Sequence, residues 1–225
     1  MKWKSFDADK VEPEIQKVLS DLVGQLLIKY GLNKQSKSEI KKFVDAYISD
    51  FKNKGLHQEL NTTVGISTFR PNEFTKDTSC DSSLNDLIKS LSSFEYDWRS
   101  GSKTVQDQVN SKYESAGDKI VRGGRAKVIL DSLVKIKGKN VAIEYETSIN
   151  LDNGYFSLRQ AIKDGRADYG VMIVPWHEEG PGRANEALAT DRLDRDNDDN
   201  ENAIGPIFRI AIIRLLDVFK ELKKT

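Results

Sequence analysis

Two continuous apolar runs in the C-terminal half of the chain most constrain its fold. Tyr169–Val174 reads Tyr-Gly-Val-Met-Ile-Val and is stopped by Pro175, and Ile207–Ile213 is a second, largely apolar run. A strand that is exposed on one face alternates apolar and polar residues, whereas a strand covered on both faces does not. The runs therefore indicate an α/β fold with a central mixed β-sheet flanked by helices.

Apolar residues at helical spacing predict the flanking helices. One such pattern runs over residues 10–31 and ends at Gly31, and a second runs from Ser36 to Lys54. Ser36 and Glu39 have the spacing of a capping box. Shorter helices are expected over residues 83–91, 104–113 and 156–163 and at the C terminus. Residues 56–82 lack a period and contain Pro71, so a loop is expected there.

We expect one domain over residues 1–225, in which residues 1–112 are mainly helical and residues 113–225 form an α/β core. The chain has 35 Lys and Arg and 35 Asp and Glu, which excludes a histone-like positive field over the whole molecule. A single Cys and two His exclude a Cys-x-x-Cys zinc site and a His-rich metal cage. Neither a signal peptide nor an apolar run of membrane-spanning length is present, so we expect a cytoplasmic protein.

A predicted hairpin carries the acidic residues of interest. Residues 133–137 and 141–146 have strand character, with Gly138-Lys139 expected at the turn. Side chains alternate between the faces of a strand, so Glu144 and Glu146 point one way and Tyr145 the other. A turn at Gly138-Lys139 places Asp131 opposite Glu146, and Glu144 opposite Leu133. Three carboxylates then meet at one end of the hairpin.

Such a carboxylate cluster is costly unless a cation neutralises it. Two like charges about 4 Å apart repel by roughly 4 kcal/mol at an effective dielectric constant near 20. Mg²⁺ prefers oxygen ligands and is usually held by one or two carboxylates with water and phosphate. The pattern is therefore typical of metal-assisted phosphodiester hydrolysis. The alternative is that Glu-x-Glu merely marks the solvent-facing side of a hairpin.

The ordered set of motifs resembles a known nuclease family. Asp131 precedes the strand Val-Ala-Ile-Glu144-Tyr-Glu146-Thr-Ser, a helix and the Pro175-terminated strand follow, and Thr190-Asp191-Arg192 comes next. This order is similar to that of the PD-(D/E)XK nucleases, and more narrowly of the BamHI-like type II restriction endonucleases, with BglII and BstYI more distant. The similarity covers about residues 126–213. Glu146 stands where most of the superfamily has Lys, which is the unusual choice of this group.

The resemblance implies a restriction-endonuclease-like core and a set of catalytic roles. Asp131 and Glu144 are expected to bind Mg²⁺ together with the backbone carbonyl of Tyr145. Glu146 is expected to orient or deprotonate the attacking water. The family also uses a more N-terminal Glu, for which Glu114 is the candidate by spacing, although a surface Glu is the simpler interpretation of that residue.

The resemblance also implies residues that contact DNA. Asp191 and Arg192 match the family's base-contacting pair, and together they would read one G·C pair. An Asp-Arg pair in a loop is otherwise most often a surface salt bridge. Arg159 and either Asn150 or Asn153 are similar to further base readers of the family. Apart from the resemblance, Arg122 and Arg125 flank two glycines and are candidates for a mobile clamp on phosphate. The run Ser-Ile-Asn-Leu-Asp-Asn-Gly departs from the family's Gly-Asn-Ile-Ser-Ser, which leaves the inner bases of the target undefined.

Taken together, the resemblance predicts a prokaryotic type II restriction endonuclease. It would cleave double-stranded DNA with Mg²⁺ and act as a homodimer, because a palindromic site presents equivalent strands to two-fold related subunits. Two alternatives remain open. One is a PD-(D/E)XK nuclease of a repair or phage role with low specificity, and the other is a non-catalytic DNA-binding protein on the same fold.

Overall fold

The computed structural model describes residues 8–69, 79–94, 103–117, 119–122, 126–146, 151–176 and 206–225. In these ranges the helices are α1 (Ala8–Lys29), α2 (Lys37–Asn53), α3 (His57–Leu60), α4 (Asp81–Leu91), α5 (Lys103–Lys112), α6 (Leu151–Lys163) and α7 (Leu215–Leu222). The strands are β1 (Thr63–Phe69), β2 (Glu114–Ser115), β3 (Lys119–Arg122), β4 (Ala126–Ile129), β5 (Ser132–Ile136), β6 (Lys139–Tyr145), β7 (Tyr169–Pro175) and β8 (Ile207–Arg214).

Six of these strands form one mixed sheet in the order β1-β8-β7-β6-β5-β2. The central pairs β6–β7 and β7–β8 are parallel, and the outer pairs β1–β8, β5–β6 and β2–β5 are antiparallel. Every residue of β7 and β8 is buried, as the two apolar runs predict. The expected α/β class and the mixed central sheet are therefore confirmed.

Helices cover both faces of this sheet. On one face, Leu133, Ala142 and Met172 join a core with α1, α2, α6 and α7. On the other face, Val134 and Ile143 join a second core with α4 and α5. Alternate residues of one strand thus belong to different cores, because successive side chains point to opposite faces of a sheet. The sheet is the middle of three layers.

The predicted ends of α1 and α2 agree with the structure. Gly31 follows α1 in the left-handed region at φ 66°, where glycine is the favoured residue. Ser36 precedes α2, and its N–H donates to the Glu39 carboxylate at 2.9 Å, which closes the predicted capping box. Local capping chemistry is therefore enough to place these helices.

The expected loop over residues 56–82 is wrong over much of its length. The short helix α3 and the edge strand β1 lie there, and β1 pairs antiparallel with β8. Thr63–Phe69 reads Thr-Val-Gly-Ile-Ser-Thr-Phe, so its β-branched residues favour a strand although its polarity does not alternate cleanly. The N-terminal part, expected to be mainly helical, thus also adds a strand to the sheet.

The predicted β5–β6 register is also wrong, but by two residues. Ile136 pairs with Lys139, so the turn is Lys137-Gly138 and not Gly138-Lys139. Both turn residues have positive φ, 48° and 80°, which is the two-residue turn that matches strand twist. A shift of two residues leaves every side chain on its original face. The predicted common face of Asp131 and Glu144 therefore survives the correction.

Helix α6 begins earlier than expected. It starts at Leu151 rather than near Phe156 and ends at Lys163, followed by Gly165 at φ 67°. The glycine at position 154 lowers helix propensity in the first turn, and this hid the true start. The earlier start brings the N-terminal end of α6 beside the end of β6.

A buried ion pair joins the end of β8 to α7. Arg214 Nη2 lies 2.7 Å from Asp217 Oδ1, and both side chains are almost fully buried. Arg214 also donates to the side-chain oxygen of Asn61 at 3.3 Å.

Within the described ranges, none of the helices combines the length and the apolar character that crossing a membrane requires.

Candidate active site

Asp131 and Glu144 meet where the β5–β6 ladder ends. The last ladder pair is Ser132 with Ile143, and continuing the same register places Asp131 beside Glu144. The Asp131 N–H donates to the Glu144 carboxylate. In return, the N–H of Tyr145 donates to Asp131 Oδ2 at 3.0 Å. Each strand thus holds the carboxylate of the other in place.

A third contact fixes the backbone of Asp131 from the opposite layer. The Gln106 side chain on α5 donates from Nε2 to the Asp131 carbonyl oxygen. Asp131 lies just before β5, outside the described ladder, and this side-chain donor satisfies its carbonyl there. Helix α5 therefore helps to set the position of the carboxylate on the far face of the sheet.

Glu144 is an acidic side chain in an unfavourable environment. Only 6% of its surface is exposed. Burial, followed by the negative charges of Asp131 and Glu146, raises the pKa of Glu144 from 4.5 to about 9. Without a cation, Glu144 therefore keeps its proton at neutral pH and shares a hydrogen bond with the Asp131 side chain.

Glu146 lies one pleat beyond Glu144 on the same face. Its backbone N–H donates to the Ile173 carbonyl at 3.0 Å, which keeps it attached to β7 just past the end of β6. Its carboxylate accepts a hydrogen bond from the Gly154 N–H in the first turn of α6. Burial and the charge of Asp131 raise the pKa of Glu146 to about 7, against the lowering effect of that bond.

The backbone of Tyr145 lies beside Asp131, whereas its ring points to the opposite face of the sheet. The ring is buried in the core formed with α4 and α5. A strand residue directs its N–H and C=O to the same side. Because the Tyr145 N–H points to Asp131, its carbonyl opens on that side too, beyond the last β5–β6 pair. That is the position expected of a backbone metal ligand.

The donor set fits a hard divalent cation. Within the described residues, no group of three or more His, Cys, Asp and Glu side chains forms a ready-made metal cage. Glu146 is instead bonded to α6, which leaves Asp131 and Glu144 as the adjacent pair. Glu144 Oε1 is buried and has no hydrogen-bond partner in the described part of the chain. Two carboxylates and a carbonyl, completed by water, are what Mg²⁺ commonly takes.

The structure does not bring Glu114 to this cluster. Glu114 lies on the edge strand β2, and its side chain is 72% exposed and 3.7 Å from Lys135 Nζ. Lys135 is four residues along β5 from Asp131, or about 13 Å at the rise of a strand. Glu114 is therefore a surface residue paired with a lysine, and it takes no part in the assembled site.

Only some of the expected DNA-contacting residues lie in the described part of the chain. Arg159 lies on α6 and is half-buried, Asn153 is the third residue of α6, and Arg122 ends β3. The β3–β4 hairpin contacts α6. Asn150, Asp191, Arg192 and Arg125 lie outside the described residues, as do the side chains of Asn153 and Arg122.

Sequence reasoning missed two residues that contact Asp131 and Glu146 directly. Gln106 holds the Asp131 backbone, and nothing in the local pattern of α5 signals that contact. Gly154 lies close to the Glu146 carboxylate, and the sequence did contain a signal for this residue. An isolated glycine within a helix commonly marks a packing or functional requirement.

Arg209 places a positive charge on the same face of the sheet. In the β6–β7–β8 register Glu144 pairs with Met172, and Met172 pairs with Arg209, so the three residues share one face. Arg209 is only 7% exposed. Its backbone lies two strand spacings from Glu144, or about 10 Å. The sequence signal for this residue was a charged side chain within an apolar run.

Comparison with protein-family models and with curated protein sequences finds no match to this chain. The arguments for function therefore depend on the site and on the motifs that it contains.

Proposed function

We propose that this chain is a Mg²⁺-dependent endonuclease that cleaves double-stranded DNA, of the BamHI-like type II restriction class. The observation that carries the proposal is the mutual bonding of Asp131 and Glu144 at the end of β5 and β6, with Glu146 on the same face. Two adjacent carboxylates, of which that of Glu144 is buried, are costly to bring together, and a bound cation offsets that cost.

Asp131, Glu144 and the Tyr145 carbonyl are the groups that would hold the metal. Glu144 Oε1 is buried and meets no donor among the described residues, which supports this assignment, because a buried acceptor without a donor is costly until a ligand fills the position. When bound, Mg²⁺ supplies charge stabilisation at the phosphoryl oxygens and lowers the pKa of a coordinated water.

Glu146 is suited to handle the attacking water. A general base works best when its pKa lies near the operating pH, and burial raises the pKa of Glu146 to about 7. The Gly154 N–H holds the carboxylate while it orients the water and accepts its proton. This role is the one that the family resemblance assigns to the second acid of the Glu-x-Glu pair.

Site specificity and dimer formation belong to the same proposal. Thr190-Asp191-Arg192 supports sequence-specific reading, because Arg pairs with guanine and Asp accepts from cytosine. A homodimer would present one active site to each strand of a palindromic sequence. Low-specificity cleavage and DNA binding without cleavage are the alternatives that the experiment separates.

The test is digestion of a sequenced supercoiled plasmid by the purified protein with Mg²⁺, followed by mapping of the ends. Discrete fragments with common end sequences are expected. A continuous smear would replace the restriction assignment with that of a non-specific nuclease. Intact plasmid across a range of substrates, with DNA binding retained, would overturn the nuclease assignment.

Two matched variants assign the chemistry to the site. Glu144→Gln keeps the size of the side chain but removes a metal ligand, so cleavage should be lost while binding in a mobility-shift assay remains. Glu114→Gln makes the same change on β2, beside Lys135, which lies about 13 Å from Asp131 along the neighbouring strand, and it should cleave like the wild type. Cleavage at the wild-type rate by both variants would show that Glu144 is not part of the active site.

A further inference from the structure

Gly154 is the fourth residue of α6, and its N–H donates to the Glu146 carboxylate. A carboxylate in the first turn of a helix meets the positive end of the helix dipole. Helix α6 thus holds the side chain that ends the Glu-x-Glu motif.

Gly154 also provides the space in which the carboxylate sits. A Cβ built at position 154 would lie 3.1 Å from both Cγ and Cδ of Glu146 and closer still to Oε1. Its backbone is not in the positive-φ region that requires glycine. Glycine within a helix is less favourable than alanine, so the missing side chain is explained by close approach rather than by backbone shape.

We propose that Gly154 is a positioning residue that fixes the Glu146 carboxylate beside the Asp131–Glu144 pair. This inference rests on the proposed function, in which Glu146 orients the attacking water. The hydrogen bond from the Gly154 N–H orients the Glu146 carboxylate, and the lack of a side chain at position 154 lets that carboxylate approach the helix. The position of α6 then determines, through Gly154 and the Glu146 carboxylate, where the attacking water is held, although Gly154 itself does not contact the substrate.

Gly154→Ala should therefore reduce turnover more than substrate binding. The added methyl group forces the carboxylate to move by several tenths of an ångström or more, and productive geometry tolerates roughly 0.5 Å. A displacement of about 1 Å can cost about 100-fold in rate. We expect kcat for plasmid cleavage to fall about 10- to 100-fold, with KM and DNA affinity changed less than about twofold.

A double-mutant cycle on stability tests the contact without reference to cleavage. In the wild-type background, Gly154→Ala should shift the midpoint of thermal unfolding less favourably than in a Glu146→Ala background, because the methyl group displaces the Glu146 carboxylate. In the Glu146→Ala background, the collision is gone and the same change should raise the midpoint through helix propensity. The double variant keeps the test valid even if Gly154→Ala alone folds poorly.

The outcomes separate this inference from the proposed function. Equal shifts of the midpoint in the two backgrounds would show that Gly154 and Glu146 do not interact and would overturn the inference. Unchanged kcat in a folded Gly154→Ala protein would overturn it as well. A wild-type protein that leaves DNA intact overturns the proposed function, and the stability cycle still reports on the contact.

Discussion

Replacing Glu144 with Gln should remove much of the pH dependence of stability of the metal-free protein. Burial and the charges of Asp131 and Glu146 raise the pKa of Glu144 from 4.5 to about 9 in the folded state. Above pH 4.5 the unfolded chain has lost a proton that the folded chain still holds. Unfolding therefore releases a proton, and stability falls as the pH rises from about 4.5 to about 9.

The size of the effect follows from the same shift. A difference of about 4.5 pKa units corresponds to an upper limit of about 6 kcal/mol. The charges of Asp131 and Glu146 contribute to this shift, so the change that belongs to Glu144 alone is smaller, on the order of 3 kcal/mol. For a chain of this length, that corresponds to a fall in the unfolding midpoint of about 10 °C between pH 5 and pH 9.

Thermal unfolding in the presence of a chelator, followed over this pH range, is the measurement. The difference between wild type and Glu144→Gln isolates the contribution of Glu144, and Glu114→Gln is the control because its side chain is exposed. Excess Mg²⁺ should restore the alkaline stability of the wild type and leave Glu144→Gln unchanged, since a ligand of the native state stabilises it. Parallel pH profiles for the two proteins, or an equal Mg²⁺ response, would refute the reasoning.

Three further predictions concern the support of the site and the fold. Gln106→Leu removes the donor to the Asp131 carbonyl, so we expect a loss of about 1 kcal/mol in urea unfolding and slower cleavage at unchanged DNA affinity. Asp217→Asn leaves the buried Arg214 charge without its anion and should lower the free energy of unfolding by about 3–5 kcal/mol in the same assay. A measured loss under about 1 kcal/mol would contradict this prediction. Gly138→Ala strains the hairpin turn at φ 80° and should lower stability by about 1 kcal/mol, with single-turnover cleavage as the check that the site is intact.

Local patterns were sufficient for the elements that carry the site. The apolar run at Tyr169–Val174 predicted a strand buried on both faces, and the structure confirms it. Alternation along β6 predicted that Glu144 and Glu146 share a face with Asp131. That prediction holds although the predicted turn was one residue off and the register two residues off, because a shift of two preserves the side-chain faces.

Strand β1 was beyond the reach of local reasoning. Its seven residues have no clear alternation, and they form a strand because β8 offers them a pairing edge. Strand propensity depends mainly on cross-strand and packing partners, which a sequence window does not contain. The expected loop at residues 56–82 failed for this reason.

By itself, the sequence determined which side chains can share a face, because that depends only on the period of a strand or helix. Tertiary structure alone decided how the carboxylates are held: Gln106 reaches Asp131 from another layer, and the N–H of Gly154 meets Glu146. These contacts join residues that are 25 and 8 positions apart in the chain, and no local periodicity encodes them. The pKa values of Glu144 and Glu146 depend on the same contacts, since burial and neighbouring charge exist only in the folded protein.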